Sequence, residues 1–505
     1  MKKTRLLAAG AVTLAAVIAM SGCAGGEAAP EAQPTTLKLT INTPPSSFAI
    51  GNLAGQDATL SLSIYDTLVM RDLNNELVAA AAESWEYSED RRTLTFDIRD
   101  GQEFSDGSPL DADAVVASLD LARTGPSSQA AFASISAIEA PDESTVVITL
   151  AEPDAALLPN LARPFGAIGA PSVLTEESSQ LSPVGSGPYV LDQDATTVGS
   201  EYTLTRNPAN WNADAYEFDT VKITVIQDPA AVVSATQTGE IDYALVSPQE
   251  VNVFPTSEFA SGENLPTAIG GLWIVDRAGS IVPALADLRV RQAINMALDR
   301  DGIAESLGGG TSTATNQVYS PVDGAFSDQL LDVDAYDPAA ARKLLAEAGY
   351  ADGFDITVPS TVISQTFESI ITQQLGEVGV RVTWEPVPFQ DFYSKVFAGN
   401  YGMFFMYNAI SGSDALDTSA VLQGVFNPFN STTPELDSLL DAANVAAEDD
   451  QPESYRAINE YFVDQAWFAP MSYSSPTYVV TRSVDYTPST ISTSSLLPWT
   501  PASSE

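Results

Sequence analysis

Residues Thr93 to Ile98 alternate strictly, with Leu94, Phe96 and Ile98 on one side and Thr93, Thr95 and Asp97 on the other. A period of two predicts a strand with one buried face. Two further apolar runs, Thr145 to Leu150 and Val221 to Ile226, predict strands as well. Between the first two, Asp106-Gly107-Ser108-Pro109 forms a turn, and a helix begins near Asp111 with Val115, Val116 and Leu119 along one side. Pro229 to Thr238 reads as a helix stopped by Gly239. Asp287 caps another, with Val290, Ile294, Ala297 and Leu298 on its buried stripe. Asp337 and Pro338 open a third, which carries Leu344 and Leu345 inward and ends at Gly349. Thr433-Pro434-Glu435 starts a fourth that buries Leu436, Leu439 and Leu440. Strands and helices mix without regular βαβ spacing and without an internal repeat. The expected class is therefore α/β or α+β with more than one lobe.

The N-terminus departs from this globular pattern. Lys2, Lys3 and Arg5 precede an apolar run from Leu6 to Met20, then Ser21, Gly22 and Cys23. The run is shorter than the roughly 20 residues a membrane-spanning helix requires, so residues 1–22 read as a secretory signal peptide. Met20-Ser21-Gly22-Cys23 resembles a lipobox, with Met20 where Leu is usual. Cys23 would then be acylated, and residues 23–36, rich in Gly, Ala, Pro and Glu, would tether the folded body to the lipid. No second long apolar run follows, which places the remainder outside the membrane, lipid-anchored at the extracellular face.

Composition narrows the chemistry. The 505 residues allow two or three domains. Net charge is −44, with 66 acidic side chains against 22 basic ones, which argues against tracking nucleic-acid phosphates. Histidine is absent and Cys23 is the only cysteine. A Ser-His-Asp triad, a Cys-His pair, a His-ligated zinc and an internal disulfide are all excluded. Lys38, Lys222, Lys343 and Lys395 are preceded at three residues by Thr35, Asp219, Ala340 and Phe392, so no Ser-Lys pair has the hydrolase spacing. Gly308-Gly309-Gly310 lacks the Lys-Ser/Thr of a phosphate cradle, and Asp332, Asp334 and Asp337 lack the glycine and glutamate of a calcium loop. No metal or cofactor is expected. A carboxylate-dependent hydrolase is left open by residue type alone. A signalling or adhesion lipoprotein is the third class.

Several segments, taken in order, carry a resemblance. Ala81-Ala82-Glu83-Ser84-Trp85-Glu86, Thr93 to Gly101 and Phe104-Ser105-Asp106-Gly107-Ser108-Pro109-Leu110 are similar to the signature of the family 5 extracellular solute-binding proteins. So are Gly185-Ser186-Gly187-Pro188-Tyr189, Arg206-Asn207-Pro208 with Trp211, Gly239-Glu240-Ile241-Asp242, Leu288 to Ile294 with Leu298-Asp299-Arg300, and Leu344 to Tyr350. Ser105 stands where His is common and Ala114 where an acid is common. The resemblance implies a two-lobed periplasmic-binding-protein-like α/β fold with a ligand cleft between the lobes. Lobe I would comprise 37–64, 185–270 and 478–505, with an inserted subdomain at 65–184, and lobe II would be 271–477. Crossings near Gly271-Leu272-Trp273 and Ser474 to Val479 would form the hinge. It implies a monomeric, non-enzymatic receptor that delivers a solute, short peptides foremost, to the permease subunits of an ABC importer. Sugars, opines and metal chelates remain alternative solutes. By the same resemblance, an aspartate after the strand Tyr401 to Tyr407 would anchor a peptide amine, and Asp414 falls there, although the aromatic-Ala-Asp pattern is missing. Tyr407, Asn408, Trp273 and Trp384 complete the candidate contacts; for the aromatics the alternative is a place in the core.

Overall fold

The computed structural model describes residues 35–53, 58–174, 180–491 and 494–503. The signal segment, Cys23 and the tether up to residue 34 lie outside the described residues. Among those described, no helix is long and apolar enough to cross a membrane.

Two sheets organise the first lobe. Thr36–Ile41 runs parallel to Thr220–Val225, which pairs antiparallel with Glu201–Arg206, and Tyr189–Leu191 completes a four-stranded sheet. Alternation decides its buried face: Leu37, Leu39, Val221, Ile223, Tyr202 and Leu204 all enter one core. The second sheet is antiparallel, in the spatial order Ala82–Tyr87, Thr93–Ile98, Thr145–Leu150, Ile135–Asp142. Ala112–Ala122 packs on it through Ala112, Val115 and Leu119, with Asp111 accepting the Ala114 N–H at 3.0 Å as its N-cap.

The second lobe is built around Ala268–Ile274, which pairs on one side with Met403–Ala409 and on the other with Ala469–Ser474; Ser312–Ala314 lies beyond. Both faces are covered. Leu272, Ile274, Met403 and Phe405 enter one core with helices Leu288–Met296, Pro338–Glu347 and Glu368–Val378. Trp273, Val275, Phe404 and Met406 enter the opposite core with Phe389–Phe397, Pro434–Val445 and Gln451–Asp464. Burial on both sides explains why these strands read as continuous apolar runs rather than alternating ones. The expected caps are in place: Asp287 accepts from Arg289 N, Asp337 from Ala339 N and Ala340 N, and Thr433 from Leu436 N. Leu344, Leu439 and Leu440, expected inside, are only partly buried at the margins of their cores.

The lobes are joined where two strands run side by side. Thr477–Thr481 pairs with both Tyr243–Val246 and Phe259–Glu263 in the first lobe. The crossings are hydrogen-bonded to each other, Asn264 N to Pro476 O at 2.8 Å and Thr267 N to Ser474 O at 2.9 Å. Gly271, Leu272 and Trp273 lie further on, within a strand paired on both edges, so the chain passes between lobes at 264–267 and 475–476.

Candidate ligand-binding cleft

A cavity of about 190 Å³ lies where the lobes face each other. The first lobe supplies Leu62 from the helix Ala58–Ile64, the following Tyr65-Asp66-Thr67, Arg71 from the strand Val69–Arg71, and Arg163 just past Leu157–Leu161. Trp211, Tyr216 and the C-terminal Thr490 and Ile491 extend this wall. The second lobe contributes Ile410, Ser411 and Leu416, from the loop after Met403–Ala409 and the helix Asp414–Leu422.

Its polar groups are held in place. Asp66 is 8% exposed; its Oδ2 accepts from Trp211 Nε1 at 2.7 Å and its Oδ1 from Thr67 N at 3.1 Å. Burial pushes this carboxyl up to about 7, against the pull of those two donors and of Arg99. Arg99 in turn lies 4.5 Å over the Trp211 ring.

A clasp bridges the lobes. Arg71 Nη1 donates to Asn75 O at 2.8 Å, to Asn75 Oδ1 at 2.9 Å and to the Gly412 carbonyl at 3.3 Å. Asn75 Nδ2 donates to the same Gly412 carbonyl, and Thr490 Oγ1 braces Asn75 Oδ1 at 2.8 Å. Gly412 has φ +70°, and a Cβ there would stand 2.8 Å from Asn75 Nδ2. Both the backbone angle and the close approach require glycine.

Behind the clasp lies a carboxyl pair. Asp417 Oδ1 accepts from Ser411 N at 2.9 Å, fixing the loop that carries Gly412. Asp323 Oδ2 accepts from Ser320 N at 2.8 Å and Ser320 Oγ at 3.0 Å. The remaining oxygens, Asp323 Oδ1 and Asp417 Oδ2, are buried with no hydrogen-bond partner among the described residues, and the two carboxyls act on each other. Burial raises both, and the neighbouring Asp323 charge raises Asp417 further.

The family model for bacterial extracellular solute-binding proteins, family 5 (middle region), matches residues 76–432. The chain belongs to family 5 of the extracellular solute-binding proteins. A putative ABC transporter peptide-binding protein of Brucella ovis is 31% identical over 360 residues, covering 67% of this chain; the match spans 66% of the relative's length. The fold is shared with DppA of Helicobacter pylori in complex with peptide STSA, at 21% identity and TM-score 0.74, over 93% of this chain and 99% of that one. It is shared equally with AgaA of A. tumefaciens R10 in complex with agropinic acid, at 23% identity and TM-score 0.73, with the same coverage. The two-lobed α/β architecture expected from the resemblance is thus the architecture of this family 5 protein.

None of the side chains expected at the ligand is among those lining the cavity. Asp414 accepts from Ala325 N at 3.0 Å and ties the turn at 323–325 to the start of its helix; burial pushes it up to about 7. Trp273 is 1% exposed, donates to Met406 O at 2.9 Å and packs against Phe426 and Phe468. Trp384 donates to Thr372 Oγ1 at 2.8 Å and packs at the edge of the other core. Asn408 is buried opposite Ile269 in the central sheet. Tyr407 is 39% exposed and lies over Gly270, where a Cβ would meet its ring at 2.6 Å. The loop they flank does reach the cavity, through Ile410, Ser411 and Leu416. Sequence reasoning passed over Asp66, Arg71 and Arg163. A signal existed for one of them: Arg163-Pro164 interrupts the apolar stretch from Leu157 to Phe165 in a chain poor in cations.

Proposed function

We propose that this family 5 protein captures a small extracellular solute between its lobes and hands it to the permease subunits of an ABC importer. The observation that carries the reading is a cavity walled by both lobes, with the Arg71–Asn75 clasp on the Gly412 carbonyl closing across it. The bodies on either side, lobe I with its insert 65–184 and lobe II, would move about the adjacent crossings at 264–267 and 475–476, so that 268–270 travel with lobe II and Thr477 with lobe I. Short peptides are the first solute class to test, because the Brucella ovis relative is named for peptide binding. The agropinic acid bound to a protein of the same fold favours keeping a non-peptide solute as the second reading.

Catalysis has little support. The apposed carboxyls Asp323 and Asp417 are buried behind the cavity wall and are occupied by Ser320, Ser411 and each other. We place the protein as a monomer at the extracellular face of the cell membrane, held by acylated Cys23. Cys23→Ala should move it from the membrane fraction to the medium; retention in the membrane would refute the anchor. The solute reading is tested by mass spectrometry of compounds released on denaturing the purified protein, with Trp211 emission followed as they are added back. Saturable, reversible binding without turnover supports the receptor. Conversion of the compound overturns it.

A further inference from the structure

Two arginines face one small cavity in a chain with 22 basic and 66 acidic side chains. They stand close enough that the positive field of Arg163 acts on Arg71. Neither makes a close ion pair among the described residues, although Asp417 acts on both and Asp323 and Asp414 on Arg71 from further away. Arg71 uses only Nη1, on Asn75 and Gly412, which leaves Nε and Nη2 without partners among the described residues. Arg163 donates no side-chain hydrogen bond among those residues either, and its guanidinium lies 5.0 Å from the Phe165 ring centroid. The carboxylate whose charge acts on Arg163 is Asp417, whose Oδ1 is held by Ser411 N. The carboxyls near the two guanidiniums, Asp417, Asp323 and Asp414, hydrogen-bond to Ser411, Ser320 and Ala325 rather than to either arginine. Partly buried guanidiniums with unused donors call for an anion, because a desolvated charge without a partner is costly.

The rest of the cavity does not offer the converse. Asp66 is its one carboxylate, and both its oxygens already take donors, from Thr67 and Trp211. The second-lobe wall is Ile410, Ser411 and Leu416, with no acid to receive an ammonium. Leu62, Trp211 and Tyr216 add apolar and aromatic surface.

We propose that the solute is a small organic acid with an apolar body, held through its carboxylate by Arg163 and the free side of Arg71, and that a free amino group is not required for capture. The guanidinium fork matches a carboxylate with two parallel hydrogen bonds, which a lysine would not reproduce. This inference rests on the cavity being the solute site, and it narrows what that site takes.

Blocking chemistry on a mixed probe tests it. Ligand-stripped protein is incubated with three portions of the low-molecular-weight filtrate of yeast extract: untreated, acetylated to block amines, and esterified with methanol to block carboxylates. Retained compounds are identified by mass spectrometry. The expected result is retention from the untreated and acetylated portions and none from the esterified one. Arg163→Gln should reduce retention about tenfold or more, and Arg163→Lys should restore it only in part. Circular dichroism melting of both variants, unchanged from the parent, separates lost recognition from lost folding. Retention that survives esterification, or disappears on acetylation, overturns the organic-acid assignment while leaving the receptor intact. Retention of nothing from untreated extract overturns the receptor and this inference together.

Discussion

Replacing Asp417 with asparagine should stabilise the protein, and only above the pH at which free carboxyls ionise. In the folded protein burial and the neighbouring Asp323 raise the Asp417 carboxyl, while its Oδ1 accepts from Ser411 N. An asparagine side chain has the shape of the protonated acid: its Oδ1 keeps the Ser411 contact and its Nδ2–H₂ takes the place of the acid's proton toward Asp323. In the unfolded chain both aspartates ionise above pH ~4. Between the unfolded and the raised folded values, folding of the parent therefore takes up a proton. Because the folded value is the raised one, stability falls as pH climbs from the unfolded value toward the folded one, by about 1.4 kcal/mol per pH unit for one proton. Asp417→Asn removes that slope. The two proteins should be equal near pH 4 and diverge, the variant leading by more at each higher pH, until the folded parent ionises. Urea denaturation followed by circular dichroism at four pH values between 4 and 8 reads the gap directly. A gap independent of pH, or a variant weaker than the parent at pH 7, would refute the raised Asp417 carboxyl. Asp323→Asn puts the same amide on the other side of the pair, its oxygen on Ser320 and its N–H₂ toward the Asp417 carboxylate, and should flatten the pH dependence in the same way.

Other perturbations read other parts of the molecule. Gly412→Ala should weaken capture of the native solute roughly tenfold or more by calorimetry, because its Cβ would stand 2.8 Å from Asn75 Nδ2 and push the clasp apart; unchanged affinity would contradict the clasp. Asp66→Ala should free the Trp211 indole N–H and shift its emission to the red, with weaker binding but little change in melting; an unshifted spectrum would show that Asp66 does not hold the ring. Trp273→Ala should cost about 3–5 kcal/mol of stability as a core deletion. If it abolished solute binding in a still-folded protein, Trp273 would belong to the ligand site after all.

Much of the secondary structure was legible in the sequence, because its causes act over a few residues. Asp111, Asp287, Asp337 and Thr433 cap their helices because a side-chain oxygen reaches an N–H two or three positions ahead. Thr93–Ile98 is a strand because its alternation suits a sheet with one wet face. The ordered segments from Ala81 to Tyr350 carried the family and, with it, the two lobes. The cavity was not legible in this way. Asn75 and Gly412 meet across 337 residues of chain, and Arg71, Arg163, Trp211, Ile410 and Thr490 share one wall system only once the lobes have docked. Nothing local marks Asp414 as a brace for the 323–325 turn, or Ile410 as a residue of the cavity wall. Periodicity and capping are decided by neighbours along the chain, whereas a cleft is decided by which distant surfaces exclude water from one another.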